Sequence, residues 1–215
     1  MIAIIFSGGT YRDIEFYRAF IEGADLVVAA DSGGEALLSL GVVPHLLIGD
    51  MDSIGPEAVA AHRSRGAEVI QVEPEKDATD TELAVRIALD RGATEITILA
   101  AVGSRLDHTL ANVSLLLYAQ QRGASARIVN EDQEAYFLTA DVVNPIAGEI
   151  GDTVSLIALS DPTTGVTTHD LKYPLKEASL KLLSPLGVSN EISGRNPWVE
   201  FWEGELLLVK VRNTE

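Results

Sequence analysis

The sequence predicts an α/β protein in two parts: an N-terminal parallel-sheet, Rossmann-like domain over 1–135 and a C-terminal antiparallel β-sandwich or barrel over 136–215. Three observations carry this. Up to about residue 130, short apolar runs alternate with longer amphipathic stretches. Beyond it, short alternating segments are punctuated by turn residues. The 47% hydrophobic and 22% charged content over 215 residues is that of a globular chain long enough to bury a core without staples.

The apolar runs fall at 2–6, 25–30, 45–48, 67–72, 95–100 and 126–129 and are read as strands. Between them, 12–21, 34–40, 56–65, 80–91 and 107–122 are predicted helices. Ser32 with Glu35, and Thr79 with Glu82, fit the capping box, in which a hydroxyl and a carboxylate satisfy orphan N–H groups. Pro56 fits a first helical position, while Gly41, Gly92 and Gly123 fit C-terminal stops. Such alternation implies a parallel sheet with helices on both faces. After residue 130 the turn signals include Asn144-Pro145, Asp161-Pro162, Tyr173-Pro174, Ser184-Pro185 and Asn196-Pro197, with no helical periodicity, which places the domain boundary near 131–140. Alternation over 198–202 turns Val199 and Phe201 toward a sandwich core. Trp198, Glu200 and Trp202 share the other face, which suits a subunit contact or packing under a loop equally well.

Charge and composition exclude several classes. Thirty-two acidic against sixteen basic residues give a net charge of −16, which argues against nucleic acid or an anionic membrane as partner, since both require a basic face. The absence of cysteine excludes disulfides, thiolate metal sites and cysteine nucleophiles. The opening MIAIIFSGGT reads as a strand and not a signal peptide, and no apolar run approaches the roughly 18 residues of a membrane span. The expected compartment is the cytoplasm.

In an open parallel sheet, ligands bind outside the carboxyl ends of the strands. The segments expected there are Ser7-Gly8-Gly9, Asp31-Ser32-Gly33-Gly34, Gly49-Asp50-Met51-Asp52-Ser53, Lys76-Asp77-Ala78-Thr79-Asp80 and Gly103-Ser104-Arg105-Leu106-Asp107-His108. Six aspartates thus converge on one edge, where they repel one another unless cations hold them together. Hard oxygen ligands suit Mg²⁺, with Mn²⁺ as the other fitting ion. Glycine-rich turns leading into helix N-termini favour anions, and Lys76 with Arg105 can complete a clamp on a polyphosphate. Singly, Asp31 or Asp107 reads most simply as a helix N-cap, and the glycine pairs as tight turns. Asp50-x-Asp52 is the more specific metal signal, and its coincidence with the other loops points to metal-assisted chemistry on a nucleotide phosphate. The chain has no Walker A sequence, no G-x-G-x-x-G fingerprint and no G-x-S-x-G elbow. Of four scattered histidines, His108 falls in the expected site and His45 reads as structural, while His62 and His169 show no evident partner.

These motifs, in this order, resemble the thiamine pyrophosphokinase family. The resemblance lies in AADSGG (29–34), P-x-x-x-I-G-D-M-D-S (44–53), EKDATDTELA (75–84), GSRLDHTLAN (103–112), LKYPL (171–175) and G-V-S-N-E (187–191). It covers nearly the whole chain. It implies an N-terminal nucleotide-binding domain, a C-terminal β-sandwich that helps bind thiamine, and a homodimer with sites at the subunit interface. The implied reaction is Mg²⁺-dependent transfer of the pyrophosphoryl group of ATP to the thiamine hydroxyl, giving AMP and thiamine diphosphate. By the same resemblance, Asp50, Asp52, Asp77 and Asp80 are the metal and phosphate-positioning carboxylates. Arg105 acts with them on the phosphates, and Asp31, Gly33, Gly34, Lys76, Asp107 and His108 join it around ATP. Ser189 and Asn190 match the segment that meets thiamine. Ser104 stands where many members have a second glycine. Leu206-Leu207-Leu208 replaces a region that carries tryptophan in animal members. Rival readings are a pyrophosphokinase for another alcohol such as a pterin, a metal-dependent phosphohydrolase, and a non-catalytic sensor.

Overall fold

Six parallel strands form the sheet of the first unit, residues 1–131, in a computed structural model that describes residues 1–75, 77–182 and 184–213. They are β1 (Ile2–Phe6), β2 (Leu26–Ala30), β3 (Leu46–Gly49), β4 (Glu68–Gln71), β5 (Glu95–Leu99) and β6 (Ser125–Val129). Their spatial order is β4-β3-β2-β1-β5-β6, every neighbouring pair parallel. The chain winds outward from β1 to β4, then crosses back to lay β5 on the other side of β1. The order therefore reverses between β1 and β5, the switch point at which open α/β sheets bind ligands.

Strand alternation explains the layers. Ile4 and Phe6 share one face with Val27, Ala29 and Leu47, in a buried cluster with Leu37 and Leu40 around α2 (Gly33–Ser39) and Ala58 of α3 (Pro56–Ser64). Ala3, Ile5 and Val28 point the other way and are equally buried. Helix α4 (Asp80–Asp90), which packs on β1, β2 and β3, covers them with Ala84, Val85 and Ala88. Helix α5 (Leu106–Gln120) packs beside α4 and β6. Sheet residues buried on both sides are what a parallel sheet requires.

The predicted helix at 12–21 is instead a 3-10 turn, Ile14–Tyr17, followed by the single turn α1, Arg18–Ile21. Aromatic packing sets this geometry: Tyr17 is fully buried, with Tyr11 and Phe16 edge-on at 5.0 and 5.1 Å. Adjacent residues 16 and 17 both have to face this cluster, which a regular helical stripe does not allow. Capping follows the sequence at Thr79, whose Oγ1 accepts from the Glu82 N–H at 3.1 Å. It departs at Ser32, which makes no side-chain cap because its own backbone is already helical (φ −59°, ψ −12°) and the Glu35 N–H donates to the Ser32 carbonyl at 3.0 Å; Glu35 Oε1 in turn accepts from the Gly55 N–H at 2.8 Å. Pro56 opens α3, and Gly41, Gly92 and Gly123 follow α2, α4 and α5 with positive φ, as expected of C-terminal stops. No helix among the described residues is long and apolar enough to cross a membrane.

The second unit, residues 132–215, holds two antiparallel sheets. One runs β12 (Asn190–Glu191), β9 (Thr153–Ala158), β14 (Leu206–Val211), β7 (Gln133–Phe137); the other runs β11 (Ala178–Leu180), β10 (Thr163–His169), β13 (Trp198–Glu200), β8 (Asn144–Pro145). Inward residues of both sheets, among them Val154, Leu156, Val166, Val199 and Leu208, form one core, so this unit is a β-sandwich. Val199 and Phe201 lie in that core, 0% and 1% exposed. On the outer face Trp198 stacks on His169 with ring centroids 5.3 Å apart, which supplies the partner that the sequence did not show for this histidine. Trp202 lies over Gly165, where an added Cβ would come within 2.1 Å of the indole. Truncating Phe201 to alanine should lower stability by about 3–5 kcal/mol through the cavity it leaves. A denaturant midpoint shifted by less than a third of the equivalent amount would show that the sandwich core collapses around the gap.

Candidate active site

The segments that leave β1, β2, β3 and β5, together with the approach to α4, enclose a cleft of about 510 Å³. Two tight approaches bring them together. A Cβ on Gly33 would sit 2.0 Å from the Phe6 carbonyl oxygen, and one on Gly9 would sit 1.8 Å from that of Ala100. Only glycine allows the β2 turn to lie against the end of β1, and the β1 turn against the end of β5. Three non-glycine residues of these turns adopt left-handed backbone: Asp31 (φ 47°), Met51 (φ 66°) and Ala100 (φ 51°). Such conformations cost energy and cluster at functional sites.

The left-handed turn at Met51 separates two tasks. The Met51 side chain packs on the core of the unit, while its neighbours Asp50 and Asp52 both line the cleft. The Asp52 N–H donates to Asp50 Oδ1 at 3.2 Å, and the Ser53 hydroxyl donates to Asp52 Oδ1 at 2.7 Å. Asp31 meets them from β2: one carboxylate oxygen from each of Asp31, Asp50 and Asp52 lies within 4.8 Å of the others. Asp31 is 8% exposed and its Oδ1 is buried with no hydrogen-bond partner. Burial, then the charge of Asp80 and more weakly that of Asp52, raise its pKa above the usual carboxylate range, against hydrogen bonds from Ser53 and the Ser32 backbone. A buried carboxylate oxygen without a donor, beside two further carboxylates, fits a divalent cation bound by oxygen.

Of the other residues singled out from the sequence, Asp80, Arg105 and His108 line the cleft. Gly33 and Gly34 lie buried beneath it, as spacing residues of the β2 turn. Asp77 is exposed and outside the lining. Asp107 is also outside it and forms an exposed pair with Arg105 at 2.6 Å, which holds its carboxyl down at about 2. Lys76 lies outside the described residues. Ser189 and Asn190 belong to the second unit. There Asn190 is buried; its Oδ1 accepts from the Tyr173 N–H at 3.0 Å and its Nδ2 donates to the Tyr173 carbonyl at 2.7 Å.

Several cleft residues carried no role in the sequence reading. Ser7 Oγ lies 2.8 Å from Thr81 Oγ1, tying the β1 turn to the first turn of α4. Asn112 lines the cleft from α5. Buried His62 places Nε2 2.8 Å from the Gly34 carbonyl and so supports the β2 turn from α3. The sequence signals for these are the position of Ser7 before two glycines and the place of Thr81 and Asn112 within the motifs at 75–84 and 103–112; His62 carries none.

Comparison with known families adds the decisive observation. The family described as thiamin pyrophosphokinase, catalytic domain, matches residues 17–128, and the one described as thiamin pyrophosphokinase, vitamin B1 binding domain, matches 142–206. The chain belongs to the thiamin pyrophosphokinase family. The thiamine pyrophosphokinase of Bacillus subtilis (strain 168) is 28% identical over 212 residues, covering 98% of both chains. A crystal structure of thiamine pyrophosphokinase from Bacillus subtilis superimposes with a TM-score of 0.89 at 25% identity, over 99% of this chain and 100% of that one. That of Geobacillus thermodenitrificans does so at 0.84 and 28% identity, over 100% and 99%. As a member of this family the protein is an enzyme, an ATP-dependent pyrophosphoryl transferase that converts thiamine to thiamine diphosphate. The catalytic-domain match includes the aspartates of the cleft, and the B1-binding match falls in the sandwich.

The raised pKa of Asp31 has a testable sign. A carboxyl whose folded pKa lies above its unfolded value costs nothing while protonated in both states, and destabilises the fold as pH rises through the unfolded and then the folded value. Asp31→Asn should therefore melt higher than the wild type at pH 7 without divalent ions, the gap narrowing toward pH 3, while activity is lost. A gap that widens on acidification would refute the assignment.

Proposed function

We propose that the cleft of the first unit binds the polyphosphate of ATP with Mg²⁺, Mn²⁺ being the other suitable ion, and that Asp31, Asp50, Asp52 and Asp80 hold the metal. The observation that carries this is the approach of three carboxylates within 4.8 Å at the carboxyl ends of β2 and β3, in the cleft that extends to the ends of β1 and β5. The bound ion would offset phosphate charge and draw these carboxylates together. Arg105, at the N-cap of α5 and lining the cleft, supplies positive charge to the phosphates once ATP competes with Asp107 for it. The N-cap of α5, Arg105, makes no side-chain cap, and the first turn adds the favourable end of a helix dipole. His108 borders the same wall, and Lys76 and Asp77 belong to the preceding loop in sequence.

Transfer joins the thiamine hydroxyl oxygen to the β-phosphorus, the hydroxyl proton passing to one of the cleft carboxylates, and breaks the bond from that phosphorus to the oxygen that leaves with AMP. Such transfers ask the protein chiefly for alignment and charge neutralisation. Thiamine binding is assigned to the sandwich, in keeping with the B1-binding match, with Ser189 and Asn190 in the segment that meets it. Asn190 contributes there by fastening the Tyr173 segment. The same match favours thiamine over a pterin alcohol as acceptor and transfer over hydrolysis.

The active form is proposed to be a homodimer. Helix α5 supports this, for besides its buried side it carries Leu106, Leu110, Val113 and Leu117 at heptad spacing, with Leu106 69% and Leu110 60% exposed. A second copy of the chain offers the same stripe, as an isologous contact requires.

A phosphorus NMR time course with ATP, Mg²⁺ and thiamine should show AMP and thiamine diphosphate rising together, and neither without thiamine. Asp52→Asn is expected to cut turnover by about a thousandfold or more with its melting temperature nearly unchanged; near-normal turnover would overturn the metal assignment. Leu110→Glu should shift the protein from dimer to monomer in light scattering. A dimer that persists at micromolar concentration would place the interface elsewhere.

A further inference from the structure

The turn that follows β5 is built against its own backbone preference. Ala100 is fully buried and left-handed at φ 51°, a conformation that L-residues other than asparagine and aspartate rarely hold. Its next five residues include Gly103, Ser104 and Arg105, all of which line the cleft. Whatever fixes Ala100 to Val102 therefore fixes where Arg105 enters.

Three successive carbonyls of this turn are each directed to a specific place. That of Ala100 faces Gly9, so closely that only glycine fits there. That of Ala101 accepts from Asn112 Nδ2 at 2.8 Å, and that of Val102 accepts from Asn130 Nδ2 at 3.4 Å. The two asparagines approach from different elements, Asn112 from α5 and Asn130 just past the end of β6, and are only 6% and 5% exposed. Asn130 also leaves its own Oδ1 buried with no hydrogen-bond partner. Packing does not account for an amide placed at that cost; its donor does.

We infer that Asn112 and Asn130 are positioning residues for the nucleotide, their amides clamping the left-handed turn after β5 so that its carbonyl oxygens point away from the polyphosphate. This rests on the proposal that ATP occupies the cleft. The electrostatic reason is direct. The cleft already holds three clustered carboxylates, and a peptide carbonyl released into it adds a further negative dipole end facing phosphate oxygens. A clamp through amide donors removes that repulsion and fixes the origin of the Gly103–Arg105 wall. Further along, the Gly103 N–H donates to Thr109 Oγ1 at 3.4 Å and the Thr109 hydroxyl donates to the Arg105 carbonyl at 3.2 Å, so the wall stays fastened to α5 beyond the clamp.

The test is steady-state kinetics on the full chain, with ATP and thiamine varied separately. Asn112→Ala is expected to raise KM for ATP about tenfold, the scale of one lost orienting hydrogen bond, while KM for thiamine stays within about twofold. Asn130→Ala, with the longer bond and outside the cleft lining, should raise it about threefold. Adding Ala100→Gly to Asn112→Ala should recover at least about half of the loss on a logarithmic scale, because glycine holds the left-handed conformation unaided; a merely structural asparagine would not be rescued in this way. Unchanged KM for ATP in folded variants overturns the inference, as does an equal rise for both substrates or an absence of rescue. Should Asn112→Ala fail to fold, Asn130→Ala decides on the same criteria, with Ala100→Gly added to it. Asp52→Asn, measured alongside, separates the two levels. If it loses turnover while the asparagine variants behave as wild type, the clamp alone fails; if it too keeps full turnover, the cleft assignment beneath it fails.

Discussion

Like charges held close in a cleft are the constraint on which the first unit depends. Two unit charges about 4 Å apart repel by about 4 kcal/mol at an effective dielectric near 20, and more where burial is deeper. Asp31, Asp50 and Asp52 approach to that order of distance, with Asp80 adding to the field at Asp31. Nothing in the local chain favours this arrangement. It has to be imposed by the scaffold and relieved by a ligand, which is why the carboxylates stand at the ends of strands fully buried in a parallel sheet. Loops alone would let them drift apart.

The scaffold imposes the arrangement through backbone geometry. Left-handed residues at Asp31, Met51 and Ala100 turn the chain sharply as each strand ends, and Gly9 and Gly33 let the turns lie in contact. Met51 anchors its turn in the core between two carboxylates, His62 props the turn after Asp31, and the Ser7–Thr81 contact joins the first turn to α4. Strain and repulsion are thus concentrated at one edge, while the remaining layers of the unit are ordinary apolar packing. The sandwich divides its labour in a comparable way: Asn190 spends its hydrogen-bonding capacity on the Tyr173 segment and so shapes a surface instead of presenting its own amide.

Much of this could be read from the sequence because hydrophobic periodicity and strand-end position are local properties. The parallel strands, the change of rhythm after residue 130, the inward pair Val199 and Phe201, and the Asp50-x-Asp52 turn all follow from neighbours within a few residues. What was not legible depends on contacts between distant segments. Asp31 joins the carboxylate cluster because β2 pairs with β3 up to Ala30 and Ile48, and the Asp31 N–H donates to the Ile48 carbonyl at 2.8 Å, which sets the end of β2 beside that of β3. The reciprocal half of the capping box at Ser32 is lost because the Glu35 carboxylate is drawn to Gly55, twenty residues away. The aromatic cluster around Tyr17 reshapes the stretch predicted as a helix. Asp77 and Asp80 look equivalent in sequence, yet only Asp80 faces the cleft, since the start of α4 turns one inward and leaves the other exposed.

The placement of the two tryptophans has an optical consequence. Both Trp198 and Trp202 lie in the second unit, one against an imidazole and one 55% exposed over a glycine, whereas the first unit has none. Indole emission therefore reports on the sandwich alone, whereas tyrosine signals come from both units, from Tyr11, Tyr17 and Tyr118 in the first and Tyr136 and Tyr173 in the second. The chain thus carries a built-in reporter of one unit, so loosening of the half that would hold thiamine can be followed by indole emission with no label added.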